Sequence, residues 1–340
     1  MKKVLAFCLL GLMVNVAIAW AAVTPARPLT VAEFIDKMVE QHHFDRYRLM
    51  QLFGQTAYLP EVIDRINKPF EEKPWDFYKD FFITEDRIAG GVTYWQEHAD
   101  TLARAEKEYG VPPAVIVAII GIETKYGQET GKFSELRTLA TLAFRYQKRE
   151  VFFQNELENY LLLTRDYQLP PLSLYGSYAG ALGIPQFMPS NYRVYAVSYD
   201  GKPSVNLLEN HDDAIASIAN YLQRSGWKPH QPVAAKALIA GNVRPWLISV
   251  DAKPVYRLQT LNKFGVSIAT LESPQRKAAL IVMHNTHDDE YWVVFGNFYA
   301  IMAYNPRTTY AMAIYQLSEA IQQQYEQKPF EASARITASR

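Results

Sequence analysis

AVIVAIIGIETKYGQETGK, residues 114–132, opens with seven consecutive apolar residues and then, two residues on, presents a carboxylate, Glu123. The apolar run reads as a buried helix, with Gly121 and Glu123 following one face near its end. An ionised carboxylate in such a place is costly unless something satisfies it or its pKa rises. Desolvation favours the protonated form, and a carboxyl group that still holds a proton near neutrality can act as a proton donor. The residues alone leave a second reading open, in which Glu123 pairs with Lys125, Lys132 or a distant arginine.

Pro112 and Pro113 suit the first turn of that helix, and Gly127 suits its C-terminal cap. Downstream, SLYGSYAGALGIPQFMPSNY, residues 173–192, is a Gly- and Pro-rich interruption whose small residues allow close approach. Its Ser177, Gln186, Ser190 and Asn191 can hydrogen-bond a polyhydroxylated ligand, so it reads as a cleft wall rather than an ordinary loop. DDAIASIANYLQRSGW is a capped helix ending near Gly226.

Upstream, TVAEFIDKMVEQHHF behind Thr30 and TEDRIAGGVTYWQEHADTLARAEKEYG behind Thr84 have helical spacing with N-caps, and KPWDFYKDFFIT reads as an aromatic-rich connector between them. From Val233 to about Val294 the pattern changes to short runs, AAKALIA, PWLISV and YWVVFGN, expected as strands of a small mixed β subdomain. TTYAMAIYQLSEAIQQQYEQ is a final amphipathic helix, and the polar tail after Pro329 is expected to be disordered. The fold class is α+β, mainly α.

The 35 basic and 35 acidic residues cancel, which removes the electrostatic argument for nucleic acid or an anionic membrane surface. The 22 tyrosines and 6 tryptophans serve a core first, though an aromatic groove also stacks on sugar rings. The N-terminal MKKVLAFCLLGLMVNVAIAWAAVTPA combines lysines, an apolar run and A-x-A spacing, as a cleaved secretory signal does; an uncleaved inner-membrane anchor is the competing reading. The one cysteine, Cys8, lies inside it, so the mature chain would have no thiol and fits an oxidising compartment.

His284, His287, Asp288 and Asp289 invite a zinc reading, but lack a third ligand with suitable context and read as a solvated turn. His42 and His43 read as scaffold, and Glu129 and Glu135 as surface residues. No Ser-His-Asp arrangement, phosphate loop or dinucleotide fingerprint is present.

GIETKYG, GSYAGALGIPQFMPSNY and AYNPRTTYAMAIYQL resemble, in order, three signature regions of the membrane-bound lytic transglycosylase B family, glycoside hydrolase family 103, and the likeness runs from about Phe77 to Ile321. The resemblance implies a signal peptide over 1–21, a helical subdomain over 22–105 and a lysozyme-like core over 106–231. A small β subdomain over 232–298, a returning helix over 299–326 and a disordered tail over 327–340 follow. It implies cleavage of the MurNAc-GlcNAc bond of peptidoglycan in the periplasm by a monomer, with no cofactor and with glycan strands and cell-wall synthesis proteins as expected partners. Glu123 matches the acid/base. Ser177, Gln186, Phe187, Tyr221, Tyr304, Asn305 and Tyr310 match groups around the cleaved sugar, and Tyr78 an aromatic closing the site. Lys148 and Arg149 fall where the family carries two arginines able to meet an acidic peptide stem; lysine at the first weakens a bidentate contact.

Family members can hold calcium in an EF-hand-like loop, here SYDGKPSVNLLENHDD, where Lys202 stands in place of a ligand oxygen, so no metal is expected. The implied chemistry uses one carboxylate: the MurNAc N-acetyl group assists, the C6 hydroxyl attacks, and a 1,6-anhydro end results. A hydrolytic muramidase, which needs a second carboxylate, and a non-catalytic peptidoglycan-binding protein are the alternatives.

Overall fold

The computed structural model describes residues 27–68, 73–202 and 204–327; the N-terminal segment expected to be a signal and the tail after 327 lie outside the described residues. The first helices are α1 (Val31–His42), α2 (Arg46–Gly54), α3 (Pro60–Ile66), α4 (Trp75–Phe82), α5 (Glu85–Glu97) and α6 (Ala99–Tyr109). Thr30 caps α1 in a full capping box with Glu33, and the Thr84 side chain accepts from Arg87 N at the start of α5. The expected aromatic connector is instead helical. Trp75, Tyr78 and Phe82 are spaced along α4, so its ring contacts bury one face while Phe77 and Phe81 stay exposed.

The core helix α7 (Pro113–Thr124) is buried along almost its whole length, starting from Pro112 as N-cap. It ends two residues earlier than the glycine suggests. Lys125, not Gly127, is the left-handed cap, and φ is 47°, 64° and 85° at Lys125, Tyr126 and Gly127. Gly121 permits this reversal, because a methyl group there would lie 2.7 Å from the Tyr126 hydroxyl oxygen.

A two-stranded ladder then pairs β1 (Phe133–Ser134) with β2 (Tyr175–Gly176), enclosing α8 (Glu135–Arg145) and α9 (Glu150–Asp166). Beyond it come α10 (Pro189–Tyr195) and α11 (His211–Arg224), the latter capped by the Asn210 side chain.

The β subdomain is a five-stranded antiparallel sheet with strands β3 (Ala234–Ile239), β4 (Tyr256–Arg257), β5 (Val266–Ile268), β6 (Lys277–His284) and β7 (Asp289–Val294), in the order β4-β6-β7-β3-β5. The short helix α12 (Leu258–Lys263) lies between β4 and β5. PWLISV is not a strand: Pro245 opens a 3₁₀ turn over Pro245–Leu247, and KAALIVMH supplies β6, an interior strand between β4 and β7. His284 and Asp289 face each other at the β6–β7 turn, with Nδ1 and Oδ1 2.7 Å apart.

Helices α13 (Gly296–Met302) and α14 (Thr308–Gln327) close the chain, and α14 packs back on α7, α5 and α4. That return brings residues nearly two hundred positions apart into one site. Among the described residues no helix is long and apolar enough to cross a membrane.

Candidate active site

Glu123 occupies the last turn of α7, half-buried at the mouth of an otherwise buried helix. The ion pair anticipated as an alternative is not with Lys125, whose ammonium is 2.6 Å from Glu129 in an exposed i,i+4 pair. Glu123 Oε1 accepts a 2.6 Å hydrogen bond from the Tyr310 hydroxyl on α14. Burial, and then the nearby Glu123, hold the Tyr310 phenol well above its usual range, so it remains a donor.

Tyr310 is one of a row of rings. It stacks on Tyr304 at 6.3 Å and 14°; Tyr304 meets Tyr221 at 5.0 Å and Phe187 at 5.6 Å, and Phe187 meets Tyr221 at 5.5 Å. Each phenol is anchored. Tyr304 donates to Pro185 O and Tyr221 to Ala303 O at 2.5 Å; burial pushes the Tyr221 phenol up to about 12 and holds the Tyr304 phenol well above its usual range. Tyr78 is among the groups acting on Tyr310 and is 1% exposed, stacked on Trp75.

The loop after β2 is wired to the end of α7. The buried Thr124 hydroxyl lies 3.0 Å from Ile184 O and accepts from Gly127 N at 3.0 Å. Gln186, at φ 51°, donates its amide N–H groups to Thr130 O and Gly183 O, both at 2.9 Å, which fixes the orientation of the amide. Ser177 Oγ accepts from Ala179 N and Ala181 N, closing the turn at the loop's start. Thus Glu123, Tyr310, Tyr304, Tyr221, Phe187 and Gln186 share one connected wall.

Several of the expected ligand contacts make contacts within the protein. Phe187, 1% exposed, is packing beneath the tyrosines. Ser190 is tied by its N–H and hydroxyl to Glu156, at 2.9 and 2.7 Å. Asn305 turns the chain before α14, its carbonyl accepting from Arg307 N. Lys148 donates to Asn67, and Arg149 lies 4.0 Å over the Phe152 ring, contacts not shared with the Glu123 group. Glu135 is a correction: it is wholly buried, whereas Glu129 is exposed as anticipated. Thr124, Tyr126 and Pro185 were missed as site-builders, although GIETKYG and GIPQF contain all three.

A cleft of about 960 Å³ lies elsewhere, beside Asp200–Asp212, with Glu97, His98 and Lys202 on its walls. Its loop does not fit a hard cation. Asp200 Oδ2 accepts from Lys202 and from Asn210, both at 2.7 Å, and buried Asp213 accepts from Tyr199 N and Asn206 N. The carboxylate oxygens a cation would need are occupied by the protein's own donors.

The profile of the Transglycosylase SLT domain family matches residues 28–319. Membrane-bound lytic murein transglycosylase B of Escherichia coli K12 is 40% identical over 299 residues, 85% of this chain and 81% of that protein. The soluble lytic transglycosylase SltB1 of Pseudomonas aeruginosa superposes with a TM-score of 0.81 at 41% identity, covering 86% of this chain and 98% of that one. SltB3 of the same organism, solved with NAG-NAM-pentapeptide, superposes at 0.76 with 27% identity, covering 86% and 80%. With its family profile spanning the described core and its fold shared with these enzymes, the chain belongs to the transglycosylase SLT family, in the lytic murein transglycosylase B group.

Proposed function

We propose that the protein is a lytic transglycosylase that cleaves the MurNAc-GlcNAc β-1,4 bond of peptidoglycan without water, using Glu123 first as acid and then as base. The observation that carries this is the single half-buried carboxylate at the end of α7, held by the Tyr310 hydroxyl at 2.6 Å beside a tyrosine wall. In the first step Glu123 protonates the leaving glycosidic oxygen while the substrate's N-acetyl group stabilises the oxocarbenium-like centre. Tyr310 stabilises the carboxylate left behind. That carboxylate then takes the proton of the C6 hydroxyl, whose oxygen bonds to the anomeric carbon, giving a 1,6-anhydroMurNAc end.

The surroundings favour one carboxylate over two. Glu129 is exposed and paired with Lys125, and Glu135 is sealed from solvent, so neither shares the half-buried setting of Glu123 beside the tyrosine wall. The relative solved with NAG-NAM-pentapeptide points to the same substrate class. On this reading the enzyme works in the periplasm, on glycan strands.

Digestion of purified peptidoglycan by wild type and Glu123→Gln, followed by mass spectrometry, tests the reading. Products one water lighter than reducing-end muropeptides are expected from wild type, with the variant slower by about 10²- to 10⁴-fold. Reducing ends would make the protein a muramidase, and full activity of the variant would remove Glu123 from the chemistry.

A further inference from the structure

Glu135, in the first turn of α8, is 0% exposed, and neither of its carboxyl oxygens has a hydrogen-bond partner. It lies against the loop that lines the site. A methyl group added at Gly176 would come within 2.4 Å of Glu135 Oε2 and of Ala181 O, and one at Gly180 within 3.3 Å of Oε1. These two glycines bracket Ser177, and the same loop continues through the Gly176–Leu182 and Leu182–Phe187 bridges to Gln186.

The groups facing this carboxyl do not favour a charge on it. From α9 come Glu156 and Tyr160, the latter donating to Pro171 O at 2.6 Å. Glu156 carries two donors from Ser190 and feels the Arg149 guanidinium, whereas no described cation pairs with Glu135; Arg65 of α3 lies instead over the Phe133 ring. Of two acids sharing a dry space, the one without donors keeps the proton.

We propose that Glu135 is a positioning residue for the loop carrying Ser177 and Gln186, seated as a neutral acid beneath the Gly176–Gly180 turn. The role rests on the function proposed above, but its protonation can be read without activity. Burial, and then Glu156, hold the Glu135 carboxyl well above the usual range. Raising the pH therefore forces a charge into a gap with no donor for it. The turn must open to admit water, displacing Ser177 and lowering turnover on the alkaline side.

The sign follows from a folded pKa above the unfolded one. The stabilisation is complete below the unfolded carboxyl pKa of about 4.3 and is lost progressively until the pH passes the folded value. Glu135→Gln keeps the shape without the proton. Melting temperature and digestion rate are measured against pH for both proteins. Through this window wild type is expected to lose about 2 °C per pH unit relative to Glu135→Gln, and its alkaline fall in rate to be reduced in the variant. Parallel melting curves would overturn the proposal, as would an unchanged alkaline fall in rate.

Should Glu135→Gln fail to fold, wild type labelled with ¹³C at the glutamate carboxyls gives the answer by NMR. A resonance titrating far above the ordinary range supports a neutral Glu135; all glutamates titrating normally would overturn it. If neither protein makes anhydro products, the proposed function fails while the melting and NMR results still report on Glu135.

Discussion

Tyr310 and Glu123 are joined by a 2.6 Å hydrogen bond between the returning helix α14 and the end of the core helix α7. The bond makes the state of the acid depend on an element from the far end of the chain. Removing the hydroxyl with Tyr310→Phe keeps the ring that stacks on Tyr304. A hydrogen bond to a charged group contributes about 1.5–3 kcal/mol, so kcat should fall roughly 10- to 100-fold with little change in KM. Steady-state digestion of soluble glycan fragments checks this; an unchanged kcat would detach Tyr310 from the reaction.

Thr124 connects α7 to the cleft loop through Ile184 O and Gly127 N, with its hydroxyl buried. Thr124→Val is nearly isosteric and leaves both partners without the hydroxyl. It should cost about 1–3 kcal/mol in urea unfolding, while Thr124→Ser, which keeps the oxygen, should recover most of that. Equal stability of the two variants would show that the hydroxyl does not tie the loop.

What could be read from the residues alone followed how local the determining physics is. Thr30, Thr84 and Pro113 act within one turn, and the helices they start lie where expected. The aromatic density of the α4 segment resembles a connector, and its i, i+3 and i+7 spacing acquires meaning only when Trp75, Tyr78 and Phe82 find a core to enter. The average behaviour of glutamate puts Glu135 on the surface; its burial arises from α9 and the 176–190 loop closing over it. Glu123 stood out because an apolar run is visible in one dimension, but Tyr310 as its partner depends on a contact 187 residues away.

The Asp200–Asp213 loop closes on its own donors, with Lys202 supplying the positive charge at Asp200. Millimolar calcium should leave the melting temperature within error of that in chelator, because a ligand stabilises only a fold that binds it. A calcium-dependent rise of several degrees would show that Lys202 swings away and the oxygens reassemble around the ion.

His98 and His211 stack at 5.0 Å and 22° where α5, α6 and α11 meet, and the Tyr94 hydroxyl is 2.9 Å from His211 Nδ1. Burial lowers the pKa of both, and for His211 the neighbouring His98 lowers it further; Asp212 and Glu97 oppose the shift without reversing it. A histidine whose folded pKa is depressed contributes stability that is present above its unfolded pKa of about 6.5 and lost as pH falls toward the folded value. Wild type should therefore lose melting temperature between about pH 7 and pH 5. His98→Phe retains a ring in the stack and removes one titrating group together with its repulsion of His211, so its melting curve should be flatter over that interval. Parallel curves would place the acid sensitivity in other groups and leave the histidine stack as packing alone.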